Sequence, residues 1–169
     1  MTLVVPFDGS DLAEAALVRA AALDAVFDEG VLAVSVVPVG DVEYAREAGW
    51  IDADEEFDTG TITDRLEGQI EEIAPDARFR YETVGQYASA GTIAKHVREA
   101  AREADASMVV IGSENAGHLT VSVSSVGGGI AADDAYDVLV VRSQHPSKVE
   151  KVKEASPHAA VQSDIDGPE

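Results

Sequence analysis

Short apolar runs alternate with amphipathic segments along residues 1–142 of this chain. The runs are apolar almost throughout, which predicts buried strands, and the segments between them repeat apolar residues every three or four positions, which predicts helices. Strands and helices that alternate in this way form a parallel sheet covered on both faces. The sequence therefore predicts one small doubly wound α/β domain, with strands at residues 3–7, 31–37, 79–84, 108–111 and 138–141.

The helices are predicted from the same periodicity and from capping residues. The first helix is expected to begin after Ser10, which can cap it, and to end at Gly30. Its predicted apolar face consists of Leu12, Ala16, Leu23 and Phe27. Further helices are predicted over about residues 62–73, 93–104 and 126–133.

Residues 38–58 form an acid-rich connection with eight acids, one arginine and Trp50, the only tryptophan. They predict a solvated connection with a short helical turn near Tyr44. A bound cation is the alternative, although the fixed spacing of a calcium loop is absent. No metal site is predicted, because the four histidines also lack ligand spacing.

The charge balance excludes several partners. With 32 Asp and Glu against 12 Lys and Arg, the formal net charge of −20 should repel nucleic acid and anionic membranes. The acids either solubilise the surface or, as we favour, adapt the protein to a cytoplasm rich in salt, where repulsion is screened. The chain has no cysteine and no basic, apolar leader or membrane-length segment, so a cytoplasmic location is expected.

Two of the predicted strands run directly into turns of small residues. The first strand ends at Phe7 and leads into Asp8, Gly9 and Ser10, and the fourth leads into Gly112. Such turns leave backbone N–H groups free to face an anion at a helix start. Ligands of doubly wound sheets bind beyond the carboxyl ends of the strands, where the order of strand addition reverses. These turns therefore predict a nucleotide or phosphate ligand.

The segments VVPFDGS, ADASMVVIGS and DVLVVR resemble the universal stress protein (UspA-like) family over about residues 3–142. The resemblance implies a five-stranded parallel sheet of order 3-2-1-4-5. It also implies ATP or AMP as a ligand, bound through the pattern Gly-x2-Gly-x9-Gly-Ser/Thr. Gly112 occupies the first position and Asn115 the second. Counting back from DVLVVR places Ser124 and Ser125 at the last two positions, with Val126 behind them and the spacer one residue short.

Three further site residues come from the same resemblance. Asp8 matches the residue that contacts the nucleoside end of the ligand, and its alternative role is to accept hydrogen bonds within its own turn. Pro6 and Val36 match positions that line the adenine pocket, although apolar strand residues need no ligand to explain them. The glycines at 127–129 either extend the phosphate cradle or form a loose helix start.

Three functions remain open. The first is a nucleotide-binding stress-response or regulatory protein, and the second is a related module that binds proteins only, for example a transporter. The third is a slow nucleotide hydrolase, which is disfavoured because neither turn holds a lysine or arginine. No catalytic residue is predicted, since no nucleophile has an identifiable base.

The last predicted strand suggests how the protein assembles. In the order implied by the resemblance it lies at the edge of the sheet, yet Val138, Leu139, Val140 and Val141 carry no charge or proline to block pairing. The resemblance implies a homodimer through this strand. Residues 143–169 are expected to form a mobile tail, which could cover the strand and leave a monomer instead.

Overall fold

The computed structural model describes residues 1–112, 129–130 and 133–142. In this part of the chain, strands and helices alternate as the periodicity predicts. The elements are β1 (Thr2–Pro6), α1 (Asp11–Phe27), β2 (Val31–Pro38), α2 (Val42–Glu47), α3 (Thr59–Ile73), β3 (Arg78–Val84), α4 (Ala90–Glu103), β4 (Ala106–Gly112) and β5 (Asp137–Val141).

The five described strands form one parallel sheet in the order β3-β2-β1-β4-β5, which confirms the expected topology. β1 lies at the centre between β2 and β4. Its residues Leu3, Val4 and Val5 are at most 1% exposed, as uniform apolarity requires of a strand covered on both faces.

Each face of the sheet carries its own apolar layer. Successive strand residues point to opposite faces, so Leu3 and Val5 pack with α1 and α3, whereas Val4 packs with α4. The apolar repeat predicts one face on each later helix, and most of both faces is buried: Ile62, Leu66 and Ile70 on α3, and Ile93, Val97 and Ala100 on α4. The last members of the two repeats, Ile73 and Ala104, are only partly buried. Helices on both faces of the sheet are therefore confirmed.

The prediction for the end of α1 was wrong in part. The Ser10 side chain caps the helix by accepting a hydrogen bond from the Ala13 amide at 3.2 Å, as expected. Phe27, however, is 52% exposed. A helix of 17 residues is about 25 Å long, whereas the five residues of β1 span about 17 Å, so the last turn overhangs the sheet. The helix stops at Asp28, which adopts a left-handed conformation before Gly30 is reached.

The acid-rich connection is held in place by its tryptophan and by an arginine of α3. The short helix α2 contains Tyr44, as predicted, and Trp50 is buried. The Arg65 guanidinium on α3 donates to the Trp50 carbonyl at 2.7 Å and forms an ion pair with Glu55 at 2.7 Å. These bonds fasten the connection onto α3.

Some predictions lie outside the described residues. Of the helix expected over 126–133, Gly129 and Ile130 are described and are helical, whereas Asp133 is described and is not. The tail over residues 143–169 is not described. Among the helices that are described, none has both the length and the apolarity required to cross a bilayer.

Candidate functional site

The carboxyl edge of the sheet brings together the described residues that the sequence selected. Pro6 ends β1, Val36 is buried in the neighbouring β2, and Gly112 ends β4 on the other side of β1. Asp8 follows Pro6 by two residues and is exposed. The strand order reverses between β1 and β4, which makes this edge the switch point at which doubly wound sheets bind ligands.

The turn after β1 is held by hydrogen bonds from three directions. The buried Ser35 hydroxyl donates to the Phe7 carbonyl at 2.6 Å, and the Trp50 indole Nε1 donates to the Asp8 carbonyl at 2.6 Å. The Asp8 carboxylate accepts from the Ser10 amide at 3.0 Å through Oδ1. Asp8 thus fulfils its alternative role within the turn. Its Oδ2 makes no hydrogen bond to the described residues.

Gly9 is required by the turn for conformational reasons. Its φ of +77° lies in the left-handed region that side chains disfavour. A Cβ at Gly9 would also lie 2.8 Å from the Gln69 Oε1 and 3.3 Å from Leu66 of α3. The Asp8 side chain is therefore presented by a backbone that has little freedom to move.

Gly112 has a packing role that the sequence did not indicate. An ideal Cβ built on it lies 2.0 Å from the Leu12 carbonyl oxygen and 2.8 Å from the Ala13 nitrogen. No side chain fits at these distances, because the contacts are to backbone atoms of the first turn of α1. Gly112 therefore allows β4 and α1 to approach closely, whether or not a phosphate binds beside it.

Tyr44 and Trp50 form an aromatic pair next to Asp8. Their ring centroids are 5.4 Å apart with an interplanar angle of 61°, an edge-to-face contact. Burial raises the pKa of the Tyr44 phenol, and the charges of Asp8 and Asp41 raise it further. Sequence reasoning did not assign these aromatic residues to the site. The signal that could have indicated them is a lone tryptophan in an otherwise polar connection.

The two described helical residues after β4, Gly129 and Ile130, are bonded to α4 and to the segment before β5. Arg98 donates to the Gly129 carbonyl at 2.7 Å, and the Tyr136 hydroxyl donates to the Ile130 carbonyl at 3.0 Å. Arg102 forms an ion pair at 2.7 Å with the buried Asp133 carboxylate. Burial and the Asp133 charge raise the pKa of Tyr136 to about 12.

The remaining predicted site residues lie outside the described part of the chain. These residues are Asn115, Ser124, Ser125 and Val126. The structure therefore brings together Pro6, Asp8, Val36 and Gly112 at one edge of the sheet, and the predicted phosphate contacts of the other four stay predictions.

The fold defines a small doubly wound α/β domain, and this edge is its candidate site. The sequence matches the universal stress protein family over residues 1–152, and the chain belongs to that family. No curated protein sequence matches it.

Solved structures share the fold at low sequence identity. A universal stress protein crystallised in complex with cAMP is 19% identical, with a TM-score of 0.53 over 83% of this chain and 96% of the other. A universal stress family protein from Burkholderia pseudomallei is 20% identical, with a TM-score of 0.50 over 84% of this chain and 96% of the other. At this level of identity the similarity shows that this chain and the two proteins share a fold.

Proposed function

We propose that this chain is a cytoplasmic regulatory module that binds an adenine nucleotide, AMP or ATP, and acts as a homodimer without catalysing a reaction. The observation that carries the proposal is the exposed Asp8 carboxylate at the switch point. Its turn is fixed by Ser35, Trp50 and Gly9 before any ligand arrives. A preorganised site loses little conformational freedom on binding.

Adenine nucleotides are the ligand class favoured by two observations. The Asp8 Oδ2, which makes no hydrogen bond to the described residues, can accept a hydrogen bond from a ribose hydroxyl. Pro6 and the buried Val36 offer apolar surface beside it for a base. A protein of the same fold crystallised with cAMP supports this ligand class.

A hydrolase is disfavoured by the charges near the site. Phosphoryl transfer needs positive groups and a bound metal ion to stabilise the charge that develops on the phosphate oxygens. The sequence from 103 to 141, which spans the connection after β4, contains no lysine or arginine. A binding module that changes its partners is therefore proposed, and a module that binds proteins without nucleotide is the alternative.

The test compares two variants that each remove one charge. Asp8→Asn keeps an oxygen that can accept from Ser10 but loses the charge that a ribose hydroxyl would meet. We expect nucleotide binding to weaken about tenfold, or ~1.4 kcal/mol. Asp28→Asn is the control, because it makes the same change at the opposite end of α1 and asparagine tolerates the left-handed φ of 55° found there.

Calorimetric titration with AMP in molar KCl measures both variants. Weaker binding by Asp8→Asn alone supports the proposal. Equal affinities of Asp8→Asn and the wild type would show that Asp8 serves its turn only. If the wild type itself does not bind millimolar nucleotide, the protein-binding alternative is preferred.

A further inference from the structure

The outer edge of β3 is open in the part of the chain that the structure describes. Among the described strands β3 pairs only with β2, so the backbone N–H and C=O groups on its other side have no strand partner there. Such an edge is a template for a further strand. The charged side chains of β3 lie on the face of the sheet that α4 covers, where Arg80 bonds to Glu103 and Glu82 to His96. They leave the face toward α3 uncharged.

A groove of about 530 Å³ lies between this edge and α3. On the side of β3 it is lined by Phe79 and Tyr81, whose ring centroids are 6.2 Å apart. Tyr81 is 49% exposed, so much of its ring surface is uncovered. On the side of α3 the groove is lined by Asp64 and Glu67, which are both exposed. The groove therefore presents aromatic surface beside two carboxylates.

The two carboxylates of the groove lack a cation of their own. Neither Asp64 nor Glu67 takes part in an ion pair between described residues. Arg80 also lines the groove, but its guanidinium is paired with Glu82 at 2.5 Å and with Glu103 at 2.7 Å. A cationic ligand would therefore supply charges that the described part of the chain does not.

The spacing of the carboxylates suits a strand. Asp64 and Glu67 are three residues apart on a helix, which places their side chains about 5–6 Å from each other. Alternate residues of an extended strand project to the same face and are separated by about 6.6 Å. Two cationic side chains at alternate positions of an added strand can therefore each meet one carboxylate.

We propose that the groove lined by Asp64, Glu67, Phe79 and Tyr81 binds an extended segment of a partner protein that carries lysine or arginine at alternate positions. The segment pairs through its backbone with the open edge of β3. Its cationic side chains lie over the Tyr81 ring and contact the two carboxylates. The net charge of −20 attracts such a partner. Binding here requires no nucleotide.

A second copy of this chain fits the groove less well than a cationic segment. If two β3 strands paired across a two-fold axis perpendicular to the sheet, the α3 helices of both copies would lie on the same face. The Asp64 and Glu67 carboxylates of the two copies would then approach one another, and like charges repel. A cationic segment of a different protein meets attraction at the same place.

The first test uses two synthetic peptides of seven residues, one that alternates lysine with threonine and one that alternates glutamate with threonine. Each is titrated into the full chain at about 0.5 M KCl, where a Debye length of roughly 4 Å leaves only short-range charge contacts. ¹H–¹⁵N NMR spectra follow the β3 amides. We expect the lysine peptide alone to shift them. It should also slow hydrogen exchange at alternate β3 amides, which are those that point away from β2.

The second test removes the two carboxylates of the groove. Asp64→Asn combined with Glu67→Gln should weaken binding of the lysine peptide about fivefold, because two charge-assisted contacts are lost. Glu72→Gln combined with Asp76→Asn is the matched control. It makes the same two changes at exposed positions that do not line the groove, and it should leave the affinity within about twofold of the wild type.

The third test concerns the aromatic surface. Tyr81→Thr keeps a residue that favours strands but removes the ring, and it should weaken binding of the lysine peptide about threefold. Tyr87→Thr is its control, because Tyr87 is 90% exposed and does not line the groove. We expect this control to bind the peptide as the wild type does.

Weaker binding by the groove variants but not by their controls, together with slower exchange at alternate β3 amides, supports the proposal. Equal losses in the two double variants would show that the peptide responds to net charge alone, which overturns it. Peptide shifts that are absent from β3 overturn it as well. If the β3 signals change with protein concentration when no peptide is present, a second copy occupies the edge and a cationic partner is the wrong occupant.

Discussion

Two glycines of this protein show how differently the same residue can be constrained. Gly112 faces the backbone of α1, where a Cβ would lie 2.0 Å from a carbonyl oxygen, whereas Gly68 lies within α3 with nothing within 4 Å of its Cβ position. The motif alone suggested that Gly112 serves a phosphate. The contact with α1 means that a substitution at Gly112 tests folding before it tests binding.

The same contrast gives a stability prediction. Gly112→Ala should lower the free energy of unfolding by about 3 kcal/mol, because the new methyl group forces β4 and α1 apart. Gly68→Ala should raise it by about 0.5–1 kcal/mol, because alanine restricts the unfolded chain and favours the helix. Urea unfolding in molar KCl measures both. A Gly112→Ala variant whose free energy of unfolding equals that of the wild type would contradict the close approach of β4 and α1.

Glu82 makes stability depend on pH. It accepts a hydrogen bond from Arg80 and shares one with His96, both at 2.5 Å. Burial raises its pKa, but the bonds to His96 and Arg80 together outweigh burial and lower it below the ordinary value of 4.5. A carboxylate with a lowered folded pKa stabilises the fold above its unfolded pKa, and this contribution disappears as the pH falls through the folded value.

Glu82→Gln should therefore cost about 1–2 kcal/mol at neutral pH and progressively less below about pH 4.5. Thermal melting across this pH range, at constant molar KCl, measures the difference from the wild type. Glu103→Gln removes the more exposed partner of the same arginine and should cost less. If Glu82→Gln lowers the stability by the same amount at all pH values, the charge of Glu82 is not involved.

At the residue scale, the sequence predicted positions better than contacts. The location of Asp8, Pro6 and Gly112 at the carboxyl edge follows from counting along each strand. The bond from Trp50 to Asp8 joins residues 42 positions apart, and no local pattern encodes it. Gly112 was selected for a phosphate-binding role that stays a prediction, and the motif gave no sign that its neighbour in space is α1.

At the scale of elements, periodicity predicted the helices and strands well and their ends less well. Ile62, Leu66 and Ile70 mark the buried face of α3 because their spacing matches the helical repeat. Phe27 fits the repeat of α1 equally well and is exposed, because the repeat carries no information on where the sheet beneath the helix stops.

The open edge of β5 gives a prediction about assembly. Among the described strands β5 pairs only with β4, and Val138, Leu139 and Val140 are half-buried. The β5 strand of a second copy, related by a two-fold axis, could pair with the backbone N–H and C=O groups at this edge. Light scattering in molar KCl should give a dimer for the wild type and a monomer for Val140→Lys. A monomeric wild type, or a dimer of Val140→Lys, would argue against this interface.

At the scale of the molecule, uniform apolarity predicted a parallel sheet, whereas the strand order came from family resemblance. The net charge of −20 was equally visible in the sequence, and it implies repulsion across the whole domain. We expect the melting temperature to rise as KCl increases from about 0.05 to about 3 M, because screening shortens the reach of that repulsion. A constant melting temperature would contradict adaptation to salt.

The central claim, nucleotide binding at the turn after β1, can be tested with one reporter. Trp50 is the only tryptophan, so its indole N–H gives a single side-chain resonance, and that N–H donates to the Asp8 carbonyl. In ¹H–¹⁵N NMR spectra in molar KCl, AMP should shift this indole signal and the Ser10 amide, which donates to the Asp8 carboxylate, along one saturable curve. Unchanged positions of both signals at saturating or millimolar AMP would contradict the claim.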